Sequence, residues 1–501
     1  MDNESLMKKT ARIVTGVVIV AGALITAASW YTGTRLEGVL RDSVEQANQQ
    51  LGNAFARYNG HIEAQLVSLE RGVFNSTAHY KVDVQLEDND GKPVQAQVLV
   101  VDHIQHGPFP WSRVSHLELM PVLATSNFAL EKNDFSEKWF ALAKDQSPVK
   151  GTVDVHFDRS VDGSLDLLPL EFADDEGRFS FSGLHMDMQG TANGEKIKAT
   201  GNIADLAVNV ASEEGPVSFT LKGLSFDTGG TKGASGFYLG HSEGRVASAA
   251  FQLVGRPPVS LRDFKTSTFA QETGGKLDAQ VNYDVGMVSY NGKDIGSSQM
   301  MWKFANFDVT STQALLKFYQ ERIEPQQHAA ALSGEPYQPQ LSAEDEVVLK
   351  GELAKLLGGK PHIELERFSL KTANGESLVS LSVDLANPAS LDVPAQVLAK
   401  QILGELDFKA ILSKPMVQDL VTLQAQAEGQ TDQAAIAEQA EGAATMVGGM
   451  AVGFQLAKVE GDNVVSRLHY ANDVVEFNGQ KMTPQQFATF VSSRLGGLKG
   501  Q

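Results

Sequence analysis

The run Phe179-Ser-Phe181-Ser-Gly183-Leu184-His-Met186-Asp187 returns without gaps, 40 residues later, as Phe219-Thr-Leu221-Lys-Gly223-Leu224-Ser-Phe226-Asp227. A looser copy, Val259-Ser-Leu261-Arg-Asp263-Phe264, follows after the same interval. Trp302-Lys-Phe304-Ala-Asn306-Phe307-Asp-Val309 and Ile363-Glu-Leu365-Glu-Arg367-Phe368-Ser-Leu370 carry the spacing further along the chain. In every copy the apolar residues hold one parity before the central residue and the other parity after it. Successive side chains of a strand point to opposite faces, so a one-residue change of parity would turn an apolar stripe outward. All copies keep one apolar face only if the strand bulges or bends at its centre, a place that Gly183 and Gly223 suit. Repeated bends predict a sheet that curves or coils. If helices leave its inner face partly uncovered, that face is an apolar groove lined by Phe179, Phe181, Leu184, Phe219, Leu221 and Leu224. If they cover it, the same residues are core.

Strand alternation extends well beyond the repeat. Tyr80, Val82, Val84 and Leu86 alternate with polar residues up to a turn at Asp88-Asn89-Asp90-Gly91. Val149, Val153, Val155 and Phe157 do the same before a turn expected at Asp162-Gly163. One polar face per strand predicts antiparallel sheet. Tyr283 to Gly292 and Tyr470 to Gly479 share a spacing that ends in Asn-Gly, a type I′ hairpin signal. Helical spacing appears over Leu36 to Tyr58 (Leu36, Val39, Leu40, Val44, Ala47, Leu51, Phe55), which reads as a continuation of the preceding segment that carries the body away from a bilayer. Further helices are expected over Ser136 to Lys144, over Thr312 to Arg322 with a stop before Pro325, and from a capping box at Ser342 and Asp345. Pro394 to Gly404 and Pro415 to Ala457 also read as helical. Gln326 to Gln340 is the best boundary candidate.

From Ile13 to Thr34 the chain runs 22 residues without a charge, about the length that crosses a hydrocarbon core. Lys8, Lys9 and Arg12 precede it, and Trp30 and Tyr31 fall where an aromatic belt meets the far interface. The positive-inside rule then keeps a short tail in the cytoplasm and exports the rest. A cleavable signal peptide ending near Ala27-Ala28-Ser29 is the competing reading. The uninterrupted length followed directly by Trp30-Tyr31 favours an anchor. The expected organisation is a cytoplasmic tail (1–12), a transmembrane anchor (13–34), a juxtamembrane helix (35–60), a β-rich repetitive region (61–310), a helical insertion (311–360), returning strands (361–393), a helical region (394–457) and a C-terminal hairpin and helix (458–501). The fold class is α+β: one N-terminal transmembrane helix, then a β-rich periplasmic body of bent antiparallel strands with helical insertions.

Composition removes several kinds of chemistry. Lys and Arg number 42 against 61 Asp and Glu, a formal charge of −19 that argues against a nucleic-acid partner. There is no cysteine, which excludes disulfides, thiolate metal sites, iron–sulfur clusters and thiol nucleophiles. No metalloprotease, phosphate-loop, dinucleotide or nucleophile-elbow motif is present, so no catalytic residue, cofactor or metal is expected. His103, His106 and His116 could suggest a metal site, but a three-residue offset on a strand puts the first two rings on opposite faces. Asp174-Asp175-Glu176-Gly177 lacks the ligand spacing of a calcium loop and reads as a solvated turn. Gly107-Pro108-Phe109-Pro110-Trp111 is a rigid segment presenting Phe109 and Trp111, either as an aromatic contact surface or as a packed corner. Ala443 to Ala457 is apolar but too short to span a bilayer and reads as close helix packing around Gly448, Gly449 and Gly453.

Several of these runs carry a resemblance. Trp30-Tyr31-Thr32-Gly33, Arg71-Gly72-Val73-Phe74, Asp102-His103 with His106-Gly107-Pro108-Phe109-Pro110, and Tyr470 through Asn478-Gly479-Gln480-Lys481-Met482 resemble the YdgA family over essentially the whole chain. That family comprises Gram-negative inner-membrane proteins classed as a domain of unknown function. Its run reads Asp-His-Gly-Pro-Phe-Pro. Here Ile104-Gln105-His106 intervene, so either His103 or His106 is the counterpart. The resemblance implies a single inner-membrane anchor with a periplasmic body, and it brings no activity, cofactor or catalytic residue. The bent strands on an anchor are also similar, at the level of fold only, to AsmA-like envelope proteins, whose curved grooves are associated with lipid. The expected function is therefore a non-enzymatic envelope protein that binds an amphiphile, a lipid or a protein partner. The alternatives are a structural protein forming a homodimer through its C-terminal helices and, last, an envelope hydrolase.

Overall fold

The centres of the repeated strands are bent in the computed structural model, and in two ways. Gly183, Gly223, Asp263 and Asn306 all have left-handed backbone, with φ of 96°, 61°, 53° and 63°. At Gly223 and Asp263 the pairing is in step on both sides: Ile203 faces Leu224 and Asp205 faces Lys222, while Arg262 faces Met287 and Phe264 faces Val285. There a single left-handed residue reverses the parity without an inserted residue. At Asn306 and beside Arg367 the register itself slips, between Leu277 and Ala279 in one pair and between Leu365 and Phe368 in the other. These two are bulges. Glycine tolerates the left-handed region freely, and Asn and Asp visit it more readily than other residues, so all four residues fit their backbone.

The structure describes residues 36–55, 61–87, 93–174, 177–191, 193–210, 217–333, 337 and 339–496. The segment 13–34 and the turn at 88–91 lie outside the described residues. Among the described residues no helix is long and apolar enough to cross a membrane. The chain divides into two compact units, one comprising residues up to Lys232 with Ser242–Pro258, the other Gly233–His241 with Val259 onward. The division falls within the stretch 61–310 that the strand pattern groups together.

In the first unit, α1 (Leu36–Phe55) leads into β1 (His61–Arg71), β2 (Asn75–Glu87), β3 (Pro93–His106), the short α2 (Trp111–Val114), β4 (Ala124–Leu130) and α3 (Glu137–Leu142). Then come β5 (Val149–Val155), β6 (Ser160–Leu167), β7 (Leu170–Asp174), β8 (Gly177–Phe181), β9 (Leu184–Thr191), β10 (Lys196–Val210) and β11 (Val217–Lys232). β12 (Tyr238–Gln252) has residues in both units. The strands pair antiparallel in the order β1-β2-β3-β4-β5-β6-β9-β10-β11, with β8 continuing β9 along β10 and β7 beside β8.

α1 is not a stalk. Leu36, Leu40, Val44 and Ala47, spaced to form one helical face, are buried with Ile62, Ala64, Leu66, Tyr80, Val82 and Val84 in the core of this unit. The Asn48 amide meets Ala64 twice, donating Nδ2–H to its carbonyl at 2.9 Å and accepting its N–H at 2.7 Å. Trp139 and Phe140 of α3 enter the same core. The turn expected at Asp162-Gly163 lies earlier, at His156–Arg159, where Arg159 has φ of 67°. Asp162 and Gly163 belong to β6.

The second unit holds β13 (Val259–Thr273), β14 (Lys276–Tyr290), β15 (Lys293–Asp308), α4 (Val309–Phe318), α5 (Glu324–Ser333), α6 (Ala343–Gly358), β16 (His362–Lys371), β17 (Glu376–Leu385), α7 (Ala395–Ile402) and β18 (Leu403–Ser413). Its C-terminal part is α8 (Lys414–Ala427), α9 (Gln433–Gly453), β19 (Lys458–Glu460), β20 (Asn463–Ala471), β21 (Val474–Phe477), β22 (Gln480–Met482) and α10 (Pro484–Gly496). Antiparallel pairing runs β13-β14-β15-β16-β17-β18-β20-β21-β22, with β19 on the same side of β20 as β21.

Both Asn-Gly turns are present, with φ positive at Asn291, Gly292, Asn478 and Gly479. The Tyr470 copy contains one more turn than the Tyr283 copy, because Asn472 and Asp473 (φ 50° and 59°) fold it between β20 and β21. Pro325 does not end its helix: α4 passes through a π turn at Tyr319–Ile323 into α5, whose first turn accommodates the proline. The capping box at Ser342 and Asp345 starts α6. Pro415 to Ala457 is two helices, separated at Gly429 (φ 88°), with Asp432 capping the second. Ile436, Ala440, Ala444 and Gly448 form the buried face of α9, so close packing within 443–457 is confined to Ala444 and Gly448, whereas Gly449 and Gly453 are exposed and a Cβ at either would meet nothing within 4 Å.

Candidate lipid-facing surfaces

Strand register decides which side chains of the repeat share a face. Phe179 faces Val208, which faces Phe219; Phe181 faces Leu206, which faces Leu221. Past the bend, the Ile203–Leu224 pair continues that face, with Leu184 alongside the His185–Asn202 pair. All six groove residues therefore lie on one face, as the parity change demands. Their burial falls steadily across the sheet. Phe181 is buried, Phe179 and Leu184 pack against the core of the first unit, Leu221 and Leu224 are half-buried, and Phe219 on β11 is 37% exposed. The face is core at β8 and β9 and opens at β11.

The second unit repeats this arrangement with less cover. Val281, Trp302, Leu365, Leu381, Phe408 and Leu468 stand opposite one another in a continuous row through six strands, β14 to β18 and β20. A parallel row runs from Ala279 through Phe304, Ile363, Val383 and Leu406 to Tyr470. No residue of the first row is buried, and in the second only Tyr470 is. Phe487 and Phe490 of α10 pack with Leu406 and Leu468 at one end of the rows. Trp302 and Phe304 stack with ring centres 6.1 Å apart. The composition of these rows is that of a core, yet their members keep contact with solvent.

The Gly107–Trp111 segment presents its two aromatic rings to solvent rather than packing them into a corner. Phe109 is 60% and Trp111 75% exposed. The loop beneath them is held by polar groups. Ser112 donates its N–H and its hydroxyl to Gln105 Oε1, each at 2.9 Å, and Arg113 is paired with Asp154 and with Glu118. Gly107, joined to Pro108 by a cis peptide, donates to the Leu123 carbonyl, and any Cβ there would collide with the Val122 carbonyl.

The polar candidates do not converge. His103 bonds Thr77, His106 bonds Ser76 across the sheet, and His116 bonds the Ser112 carbonyl. Part of the Asp174–Gly177 turn lies outside the described residues. Two features were not anticipated. Glu405, Asp407 and His469 bring ligand-type atoms within 4.8 Å of one another, with Asp407 and His469 hydrogen-bonded at 2.8 Å. They meet because Asp407 faces His469 across β18 and β20, which no sequence spacing reveals. Around them a pocket of about 690 Å³ is lined by Glu364, Ser382, Lys409, Arg467 and Glu476 among others. Asp102 is the second feature. It is buried in the first unit, accepts a hydrogen bond from Ser126 Oγ at 2.7 Å, and is pushed by burial up to about 6. The alternation Val98, Val100, Asp102, Ile104 places it on the core face and could have flagged it.

A family described as bacterial protein of unknown function (DUF945) matches residues 7–485. The chain belongs to this family. Among DUF945 relatives, Protein YdgA of Escherichia coli strain K12 is 26% identical over 487 residues, covering 95% of each chain. The uncharacterized protein YihF of the same strain is 24% identical over 499 residues, covering 96% of this chain and 98% of YihF. An uncharacterized Haemophilus influenzae protein is 21% identical over 324 residues, covering 62% of this chain and 85% of its own. No solved structure matches the chain. The likeness to AsmA-like proteins therefore rests on strand pattern alone.

Proposed function

We propose that this DUF945 protein is held in the inner membrane by 13–34, with its β-rich units in the periplasm, and that it binds an amphiphile along the incompletely covered apolar faces of its bent strands. The observation that carries this reading is the row from Val281 to Leu468. Six apolar residues on six adjacent strands share one face, and none is buried. A monomer that left such a face to water would forgo about 25 cal/mol for each Å² of apolar area it could have covered. An acyl chain or similar apolar body laid along the row recovers that term without disturbing the backbone pairing. We read the role as binding because the row itself offers only apolar side chains, while the pairs Arg467–Glu460 and His469–Asp407 belong to the opposite face of the sheet.

The test uses the full chain in membranes with a phospholipid that bears a photoreactive group in its acyl chain. Cross-links are expected on peptides containing Trp302, Leu365 and Phe408, and Trp302→Glu with Leu381→Glu should abolish them. Cross-links restricted to the N-terminal segment would remove the reading.

A further inference from the structure

We infer that the first unit docks its loop rim into the lipid surface beside the N-terminal segment, with Phe74, Phe109, Trp111, Leu117 and Met120 entering the interfacial layer. Three connections meet at one end of this sheet: Gly72–Phe74 between β1 and β2, residues 107–123 between β3 and β4, and His156–Arg159 between β5 and β6. They are joined there, since His106 donates to the Phe74 carbonyl at 2.9 Å and Leu123 to the Val155 carbonyl at 2.7 Å. Phe74 is 80%, Leu117 83% and Met120 73% exposed. Outward apolar side chains at neighbouring loop tips are unusual, because a loop ordinarily folds them under itself. Here the polar ties from Ser112 and Arg113 occupy the underside, so the rings and aliphatic chains are held outward on a fixed loop.

The position of the chain's start selects the occupant. α1 begins at this same end: Glu37 pairs with Arg71, the last residue of β1, at 2.7 Å. The charge-free stretch 13–34 stops one residue short of Leu36. The rim therefore lies beside the point where that stretch joins the unit. A Trp and several aliphatic residues at such a point have the composition of a membrane interface, where an aromatic ring sits between water and hydrocarbon. The chain carries −19, so attraction to anionic headgroups does not drive the contact, and apolar insertion must.

This inference shares with the proposed function only the reading of 13–34 as a membrane segment. It needs no ligand on the sheet faces. The chain has no cysteine, so one introduced thiol is a unique label site. Leu117→Cys, Phe74→Cys and, at the opposite end of the sheet, Leu142→Cys are each labelled with a polarity-sensitive fluorophore in the full chain. The chain is then reconstituted into phosphatidylcholine vesicles, with and without phosphatidylglycerol, that carry a lipid-borne quencher. Far-UV circular dichroism matching that of the unsubstituted chain confirms folding. Labels at 117 and 74 are expected to shift to the blue and lose at least half their emission to the quencher, to the same extent in both compositions. The label at 142 should keep its emission. Equal, water-like emission at all three positions would overturn the inference, as would failure of the chain to float with vesicles. Shielding at 117 that appears in detergent alone and grows with protein concentration would assign the rim to a second copy and overturn it as well. Quenching at the rim without acyl cross-links at Trp302 would uphold this inference while removing the sheet-face reading.

Discussion

Asp102 is a carboxyl group placed on an otherwise apolar stripe, between Val100 and Ile104 on the core side of β3. Burial raises it to about 6 against an ordinary 3.8, and Ser126 and the Asn127 backbone offset this only in part. The folded protein thus holds this proton more tightly than the unfolded chain. The benefit is complete below pH 4, declines between pH 4 and 6, and is gone above 6, where the ionised group strains the core. Asp102→Asn should remove that slope and raise stability at pH 7 by up to roughly 3 kcal/mol, the equivalent of a two-unit shift. Urea melts of variant and parent at pH 4 and pH 7 check this. A difference between them that stays constant with pH would show that Asp102 is not the group responsible. Asn48 works in the opposite direction. Asn48→Ala leaves the Ala64 N–H and carbonyl without their partners and should cost about 1–3 kcal/mol at any pH in the same melts.

At the scale of elements, the bent strand was the most legible feature of the sequence. Parity reverses at Gly183, Gly223, Asp263 and Asn306, and each belongs to a residue type that accepts a left-handed backbone. Whether the bend keeps register, as at Asp263, or slips it, as at Asn306, was not legible. That depends on the facing strand, and Gly286 opposite Asp263 leaves room where a Cβ would press on the Asp263 side chain. Asp263→Gly should be nearly neutral, whereas Asp263→Val should destabilise by about 1–2 kcal/mol, the cost of forcing a β-branched residue to φ of 53°. Comparison of thermal midpoints for the two variants decides it, and equal losses would point to the carboxylate instead of the backbone. The helix α1 was legible as a helix but not as part of the core. An amphipathic stripe shows that something is covered, and only the fold shows that β1 and β2 are what it covers. The π turn before Pro325 and the extra turn at Asn472 were hidden for the same reason: local signals specify a break or a turn, while neighbours choose its geometry.

Across the whole molecule, the acidic, cysteine-free composition set limits on partners, and the two compact units divide the strand-rich part at the Gly229–Gly236 and Gly255–Pro258 runs, which the strand pattern had passed over. The candidate surfaces were half visible. Phe109 and Trp111 and the six repeat residues could be picked out from local pattern. The row from Val281 to Leu468 could not, because its members are spread over more than a third of the chain and meet only through strand pairing. Long antiparallel sheets carry a hazard at their outer strands, whose free N–H and carbonyl groups are a template for another chain. β1 is such a strand, and Asn48 places a side-chain amide on Ala64 where the backbone of a further strand would bond, with the apolar face of α1 lying along the same border. The first helix therefore acts as a stopper against strand-by-strand polymerisation, and loosening it would open a growing point at that margin of the sheet.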